Sequence, residues 1–102
     1  MAQWSERLKE LGIELPTVAA PVAAYVPATR TGNQVWTSGQ LPFVDGKLPL
    51  TGKVGAEVSQ EDAYGYARQA ALNALAAVDA HVGIDNVCLL YTSDAADDSL
   101  RV

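Results

Sequence analysis

One long helix is the strongest element that this sequence predicts, and it lies in the segment SQEDAYGYARQAALNALAAVDAHVG, residues 59–83. Ser59 is a suitable N-cap, since its hydroxyl can accept a hydrogen bond from an unpaired amide of the first turn. Glu61 and Asp62 place negative charge in that turn, where the helix dipole favours it. The residues between are almost all good helix formers, and Gly83 is a suitable stop.

One face of this predicted helix, which spans residues 60–82, carries small side chains. The residues that share it at helical spacing are Ala63, Ala67, Ala70, Ala71, Ala74 and Val78. Apolar residues at this spacing mark the buried side of a helix. Small side chains also permit a close approach, so we expect this face to pack against a β-sheet.

Upstream of the helix, AYVPATRTGNQVWTSGQ, residues 24–40, predicts a β-hairpin. Two arms rich in β-branched and aromatic residues flank Gly32-Asn33, where a two-residue turn requires positive φ. Pro27 cannot donate to a ladder, so the first arm is expected to be an edge strand or to be bulged. Residues 41–58 predict a long loop with a turn at Asp45-Gly46.

The two ends of the chain complete the predicted order of elements. Ser5 is a suitable N-cap for a short helix that Gly12 would end, and PTVAAP, residues 16–21, predicts an extended connector. After the long helix, IDNVCLLYT, residues 84–92, predicts a further strand on which Cys88 would be a small buried hydrophobe. The predicted order of elements is therefore strand, strand, helix, strand.

Composition limits the possible partners and cofactors. The net charge is −5 and the seven Lys and Arg residues are scattered, so the clustered cations of a non-specific nucleic-acid binder are not supplied. A single cysteine, Cys88, and a single histidine, His81, exclude a disulfide framework and a Cys/His zinc site. His81, at a helix end, is expected to cap carbonyls or to face solvent. No apolar run approaches the roughly eighteen residues of a membrane span, and we expect a cytoplasmic protein with no metal, nucleic-acid or membrane partner.

One segment could line a binding site. TGKVG, residues 51–55, lacks the spacing of a phosphate loop, and WTSGQ, residues 36–40, is not a nucleophile elbow. The second hairpin arm nevertheless ends in Ser38-Gly39-Gln40, where a hydroxyl and exposed amides could line a pocket. An ordinary turn with capping hydroxyls would have the same sequence, and the residues alone leave both readings open.

Three stretches taken together resemble the RidA family, also called the YjgF family or endoribonuclease L-PSP. They are YVPATRTGNQVWTSGQLP, residues 25–42, DGKLPLTGKVG, residues 45–55, and SQEDAYGYARQAALNALAAVDAHVGIDNV, residues 59–87. The resemblance includes the hairpin turn, SGQLP, the TGKVG loop and Asn73 of the helix. The N-terminal helix and AAYVPA are similar to a longer subgroup of the family.

The resemblance implies a chorismate-mutase-like α+β fold, in which a mixed sheet carries helices on one face, present here as its N-terminal half. Residues 1–21 would be an N-terminal helix and connector, residues 22–87 the half domain, and residues 88–102 a non-native tail. Family members of this kind are homotrimers whose sheets surround a central barrel. A pocket forms at each subunit interface.

The resemblance also implies an activity. Such proteins hydrolyse reactive enamines and imines, such as 2-iminobutanoate and 2-iminopropanoate, to 2-keto acids and ammonia, without metal or organic cofactor. By position, Tyr25 would be a pocket wall with its hydroxyl towards the ligand, Ser38 a hydrogen-bond donor, and Gly39 a point of close backbone approach. The carboxylate-binding arginine and its acidic partner belong to the second half of the domain, so no catalytic residue is assigned here and we expect this chain alone to be inactive.

Two other functions stay open at this point. A trimer of the same fold could bind or sense a small ligand without turnover, which an absent pocket arginine would favour. Ribonuclease activity follows from the older family name. The acidic composition and the lack of a visible acid–base pair make ribonuclease the least favoured of the three.

The resemblance ends at Val87, and the remaining residues are CLLYTSDAADDSLRV, residues 88–102. CLLYTSDAADD can be encoded by the DNA of a sequencing-library transposon adaptor read in frame. We therefore predict that the native reading frame continues differently after Val87. A continuous native frame encoding CLLYTSDAADD in resequenced genomic DNA would contradict this prediction.

Overall fold

A computed structural model describes residues 3–18 and 25–90 of the chain. Their regular elements are helix α1 (Trp4–Glu10), strands β1 (Ala28–Thr31) and β2 (Gln34–Thr37), helix α2 (Gln60–Val82) and a 3₁₀ turn (Ile84–Asn86). The predicted connector beyond Val18 and the tail from Tyr91 onward lie outside the described residues. The described elements form an α+β arrangement, as predicted.

Helix α2 has the bounds and the caps that the sequence predicts. The Ser59 Oγ accepts a hydrogen bond from the Asp62 amide at 3.1 Å. At the other end Gly83 has φ of 84°, and its amide donates to the Asp79 carbonyl at 2.8 Å. Both ends therefore satisfy backbone groups that a helix terminus leaves unpaired.

The buried face of α2 is not centred on the predicted alanine stripe. Asn73, Ala76 and Ala77 are each only 3% exposed, whereas Ala67 and Ala71 of the predicted stripe face solvent. The buried face instead includes Asn73, the one buried polar residue of this helix. An amide side chain can be buried without penalty only where it finds hydrogen-bond partners, and Asn73 finds them in the loop after β2.

Strands β1 and β2 form the predicted hairpin, antiparallel, with Ala28 opposite Thr37 and Thr31 opposite Gln34. Gly32, the first turn residue, has φ of 58°, the backbone that a type II′ hairpin turn requires there. Side chains alternate across a strand, so the buried Ala28 and the half-buried Val35 face α2. Trp36 lies on the opposite face and is 60% exposed.

The strand predicted after Gly83 does not form in the described residues. Ile84–Asn86 is a 3₁₀ turn, and residues 87–90 have no regular structure. The cause is local, because the Asp79 carboxylate accepts the Ile84 amide at 2.8 Å and the Ile84 carbonyl accepts the Val87 amide at 3.2 Å. Cys88 is consequently exposed rather than buried. His81 lies exposed in the last turn of α2, as predicted.

Helix α1 ends as predicted but does not begin as predicted. Gly12 has φ of 69°, and the amides of Gly12 and Ile13 donate to the carbonyls of Lys9 and Leu8, which is a Schellman motif. Ser5 is not the N-cap, because the helix begins one residue before it and Gln3, at the cap position, makes no side-chain cap.

Asp85, in the 3₁₀ turn after α2, supplies the hydrogen-bond acceptor that no N-cap side chain provides to α1. The Ser5 amide donates to one Asp85 carboxylate oxygen at 2.8 Å, and the Ser5 hydroxyl donates to the other at 2.6 Å. The Trp4 indole adds a 2.6 Å hydrogen bond to the Val87 carbonyl. Both hydrogen bonds from Ser5 lower the pKa of Asp85, the one from the hydroxyl most strongly. Polar contacts therefore fasten α1 to the end of α2.

The apolar core of the described residues is small. The buried apolar side chains are Ala28, Val58, Ala76, Ala77 and Ile84. Three of them are alanines, which bury little area each, so burial alone gives the fold modest stability. No helix in the described part of the chain combines the length and the apolar content that crossing a membrane requires.

Candidate functional site

A concavity of about 360 Å³ lies at the open end of the hairpin, where β2 leads into the following loop. Its lining residues are Tyr25, Ser38, Gly39, Gln40 and Leu41. The structure thus brings Tyr25 together with Ser38 and Gly39, the three residues for which the family resemblance implies a binding role. The antiparallel pairing explains this, because Tyr25 precedes β1 and Ser38 follows β2 at the same end.

Backbone and side-chain hydrogen bonds fix the position of Ser38. Its amide donates to the Pro27 carbonyl at 3.0 Å and extends the ladder one step beyond the strands, and its hydroxyl donates to the same oxygen at 3.4 Å. The Gln40 Nε2 donates to the Ser38 Oγ at 3.3 Å and to the Ser38 carbonyl at 3.4 Å. These side-chain hydrogen bonds are long, so a ligand oxygen could replace the Pro27 carbonyl or a Ser38 oxygen as the acceptor at little cost.

The surface of the concavity is accessible to a ligand. A Cβ placed on Gly39 would meet no atom within 4 Å, so a ligand can approach this backbone closely. Tyr25 is 40% exposed and Leu41 46% exposed, so an aromatic and an aliphatic wall are open to solvent. None of the five lining residues carries a charged side chain. The concavity therefore offers neutral donors and apolar contact.

Asn73 of α2 holds the loop that forms one wall of the concavity. Its Nδ2 donates to the Leu41 carbonyl at 2.9 Å and to the Phe43 carbonyl at 3.2 Å. Its Oδ1 accepts from the Gln69 Nε2 at 3.2 Å. The loop then closes at the predicted Asp45-Gly46 turn, where Val44 and Lys47 exchange two backbone hydrogen bonds.

The TGKVG loop is closed on itself by Glu57. The Lys53 amide donates to the Glu57 Oε2 at 2.9 Å, and this bond is the main cause that lowers the pKa of Glu57. The chain passes so close that a Cβ on Gly52 would lie 2.5 Å from the Glu57 Cβ. The Lys53 amide therefore already has an acidic partner, and this loop does not present it to a phosphate.

Two other features bear on the choice of site. A larger concavity of about 650 Å³ lies at the start of α2, lined by Ser59, Gln60, Glu61 and Tyr64. The Glu61 carboxylate there disfavours the anionic ligands that a helix N-terminus would otherwise attract. Within residues 3–18 and 25–90 no cluster of three or more His, Cys, Asp or Glu side chains is placed to hold a metal ion.

Sequence reasoning did not assign roles to Leu41, Gln69 and Asn73. Leu41 belongs to SGQLP, and its place in the wall depends on a loop conformation that local patterns do not encode. Asn73 did leave a signal, because it is the one asparagine of an alanine-rich helix. Such a residue must either face solvent or find buried partners, and only the structure decides between them.

A known protein family and a known protein are similar in sequence to this chain. The family model described as "YjgF/chorismate_mutase-like, putative endoribonuclease" matches residues 5–94. "Protein TCP17" of Trypanosoma cruzi is 38% identical over 76 residues, which cover 74% of this chain and 48% of that protein. The family match extends past Val87, but it does not test whether the tail is native, which stays a prediction.

Two solved structures resemble the described fold. A protein of Shewanella oneidensis, described as "a putative endoribonuclease", is 40% identical with a TM-score of 0.72, over 78% of this chain and 52% of its own. "Protein Atu1372 with unknown function" of Agrobacterium tumefaciens is 44% identical with a TM-score of 0.63, over 78% of this chain and 46% of its own. The chain spans about half the length of these relatives. The predicted chorismate-mutase-like α+β fold is confirmed, and the chain belongs to the YjgF/chorismate mutase-like family.

Proposed function

We propose that the concavity of Tyr25, Ser38 and Gly39 binds a small 2-imino or 2-keto acid. We also propose an activity for a longer form of this protein, one as long as its relatives. That form would hydrolyse reactive enamines and imines to 2-keto acids and ammonia. The observation that carries the proposal is the convergence of these three residues on one accessible concavity in a YjgF-family chain. Its volume lies within the range of small-molecule sites.

The reaction balances without a redox partner. Water adds its oxygen to the imine carbon, the nitrogen leaves as ammonia, and a carbonyl remains. The Tyr25 and Ser38 hydroxyls and the Gln40 amide can donate to ligand oxygens, and the Gly39 backbone can lie against the planar acid. Leu41 supplies apolar contact to a short side chain.

The concavity lacks two things that hydrolysis requires. A substrate carboxylate is held best by a cation, and none of the five lining residues supplies one. The chemical step also gains from exclusion of water, whereas Tyr25 and Leu41 are open to solvent. We propose that a homotrimer covers the concavity and that chain beyond these 102 residues supplies the cation. Trp36, which is 60% exposed on the outer face of the hairpin, is the apolar side chain that we propose takes part in such packing.

Binding without turnover is the second candidate. The neutral lining favours it, because those five residues contain no acid–base pair. Ribonuclease activity, which the descriptions of the family and of the Shewanella relative suggest, is disfavoured by the net charge of −5. RNA that remains intact in a metal-free incubation with the protein would count against that activity.

Hydrolysis is tested with imines generated in situ by an amino-acid oxidase, with ammonia and 2-keto acid release measured above the spontaneous rate. The assay uses this chain and the product of the locus resequenced past codon 87. We expect only the longer product to accelerate imine hydrolysis. Tyr25→Phe or Ser38→Ala should reduce that acceleration about tenfold, because each removes one hydrogen bond to the ligand. Thr31→Ala, at the distant end of the hairpin, is the matched control. Saturable binding of 2-oxobutanoate without acceleration would instead establish the second candidate.

A further inference from the structure

We propose that Asn73 is a positioning residue for the concavity, fixing the Leu41 wall through the carbonyls of Leu41 and Phe43. Asn73 does not line the concavity itself. It stands behind the loop on α2, 3% exposed, and makes its contacts through its side-chain amide.

The chemistry of the contacts fixes the orientation of this amide. The Leu41 and Phe43 carbonyls only accept, so the Asn73 group facing them, at 2.9 and 3.2 Å, must be the NH₂. The Asn73 oxygen then faces Gln69, which must present its own NH₂, at 3.2 Å. The pair of amides thus has one self-consistent arrangement, and reversal of either would oppose two acceptors or two donors.

The same contacts shape the loop that carries the wall. The Leu41 carbonyl accepts from the Phe43 amide at 2.8 Å as well as from Asn73, so both of its lone pairs are used and the chain turns tightly there. The Phe43 carbonyl is the second anchor. With both carbonyls held against α2, Leu41 has a defined position one residue after Gln40, and α2 in turn packs on both hairpin strands. The hairpin and the loop, which form the two sides of the concavity, are therefore both held in place by α2.

This arrangement separates positioning from packing. Asn73→Asp keeps the shape of the side chain but points a carboxylate at two carbonyl oxygens. When protonated, the same carboxyl can donate to one of them. The effect on the loop should therefore depend on pH, which a role in filling space would not produce. Ala77→Gly is the matched control, since Ala77 lies one turn further along the same helix and is equally buried.

The loop is tested by amide hydrogen exchange in the protein at whatever assembly state it adopts. At neutral pH, Phe43 and Val44 should exchange about tenfold faster in Asn73→Asp than in Ala77→Gly, because their hydrogen bonds lie in the released loop. The difference between the two variants should shrink at acidic pH. Equal protection in the two variants would overturn the proposal. If Asn73→Asp fails to fold, Asn73→Ala carries the comparison at neutral pH, because it removes both donors to the loop carbonyls without adding a charge.

The consequence for ligand binding rests on the proposed function and has its own readout. The Kd for 2-oxobutanoate, followed by the Gly39 amide shift, should weaken about tenfold in Asn73→Asp and less than twofold in Ala77→Gly. If the unaltered protein does not bind 2-oxobutanoate, the proposed function fails while the exchange result still decides the role of Asn73. If it binds and Asn73→Asp binds equally well, the role of Asn73 in the site is refuted.

Discussion

Gly52→Ala should be the most damaging single methyl group that can be added to a glycine of this chain. Gly52 has φ of 147°, a backbone that L-residues rarely adopt, and holding alanine there costs about 1–3 kcal/mol. The new Cβ would also lie 2.5 Å from the Glu57 Cβ. Neither atom can move without its backbone, so relief would have to displace the loop, at a further cost of about 1–3 kcal/mol.

The expected loss is therefore about 2–6 kcal/mol of unfolding free energy. Two other glycines serve as controls, because a Cβ on either meets nothing within 4 Å. Gly65→Ala, inside α2, should stabilise by about 0.5–1 kcal/mol through helix propensity. Gly39→Ala should change stability by less than about 0.5 kcal/mol.

The assay is urea unfolding followed by far-ultraviolet circular dichroism, with a stabilising osmolyte present so that the thin core does not limit the baseline. The predicted order of midpoints is Gly65→Ala above the unaltered protein, Gly39→Ala equal to it, and Gly52→Ala far below. A Gly52→Ala midpoint within error of the unaltered protein would refute the description of the TGKVG loop.

Acidification should release α1. The lowered pKa of Asp85 means that its ionised form stabilises the fold at neutral pH, and this contribution is lost as the pH falls through the folded pKa, which lies below the ordinary value for aspartate. Trp4 fluorescence should report the release; Asp85→Asn should abolish this titration, and an unchanged titration would contradict the assignment. Ser59→Ala should cost about 1 kcal/mol while Ser59→Asp retains the cap, and equal thermal stability of the two variants would exclude the capping role. In the product of the locus resequenced past codon 87, Trp36→Glu should dissociate the proposed trimer, as measured by light scattering, and an unaltered longer product that is monomeric at high concentration would refute the trimer.

Local signals in the sequence predicted the elements whose ends depend on one or two residues. The Ser59 cap, the Gly83 stop and the Gly32 turn each encode their geometry within a few positions, and the structure has all three. The fold class was implied by the family resemblance of the stretches that contain these elements. Tyr25, Ser38 and Gly39 were assigned to one pocket through the family resemblance, and the antiparallel pairing of the hairpin explains why the structure places them at one end.

Features that depend on distant partners could not be predicted in the same way. Ser5 looks like an N-cap, but Asp85, eighty residues away in sequence, takes its hydroxyl and amide. The expected strand after Gly83 gives way to a 3₁₀ turn because Asp79 accepts the Ile84 amide. The alanine stripe misjudged the buried face for a similar reason, since propensity and spacing do not show where an amide such as Asn73 will find carbonyl partners.

We propose above that the concavity of Tyr25, Ser38 and Gly39 binds small 2-keto or 2-imino acids. The most direct measurement is a titration of the ¹⁵N-labelled protein with 2-oxobutanoate. We expect saturable shifts of the Ser38 and Gly39 amides, with weaker binding in Tyr25→Phe and no shift of the Gly65 amide of α2. Shifts that are absent at Ser38 and Gly39, or that are confined to the start of α2, would contradict it.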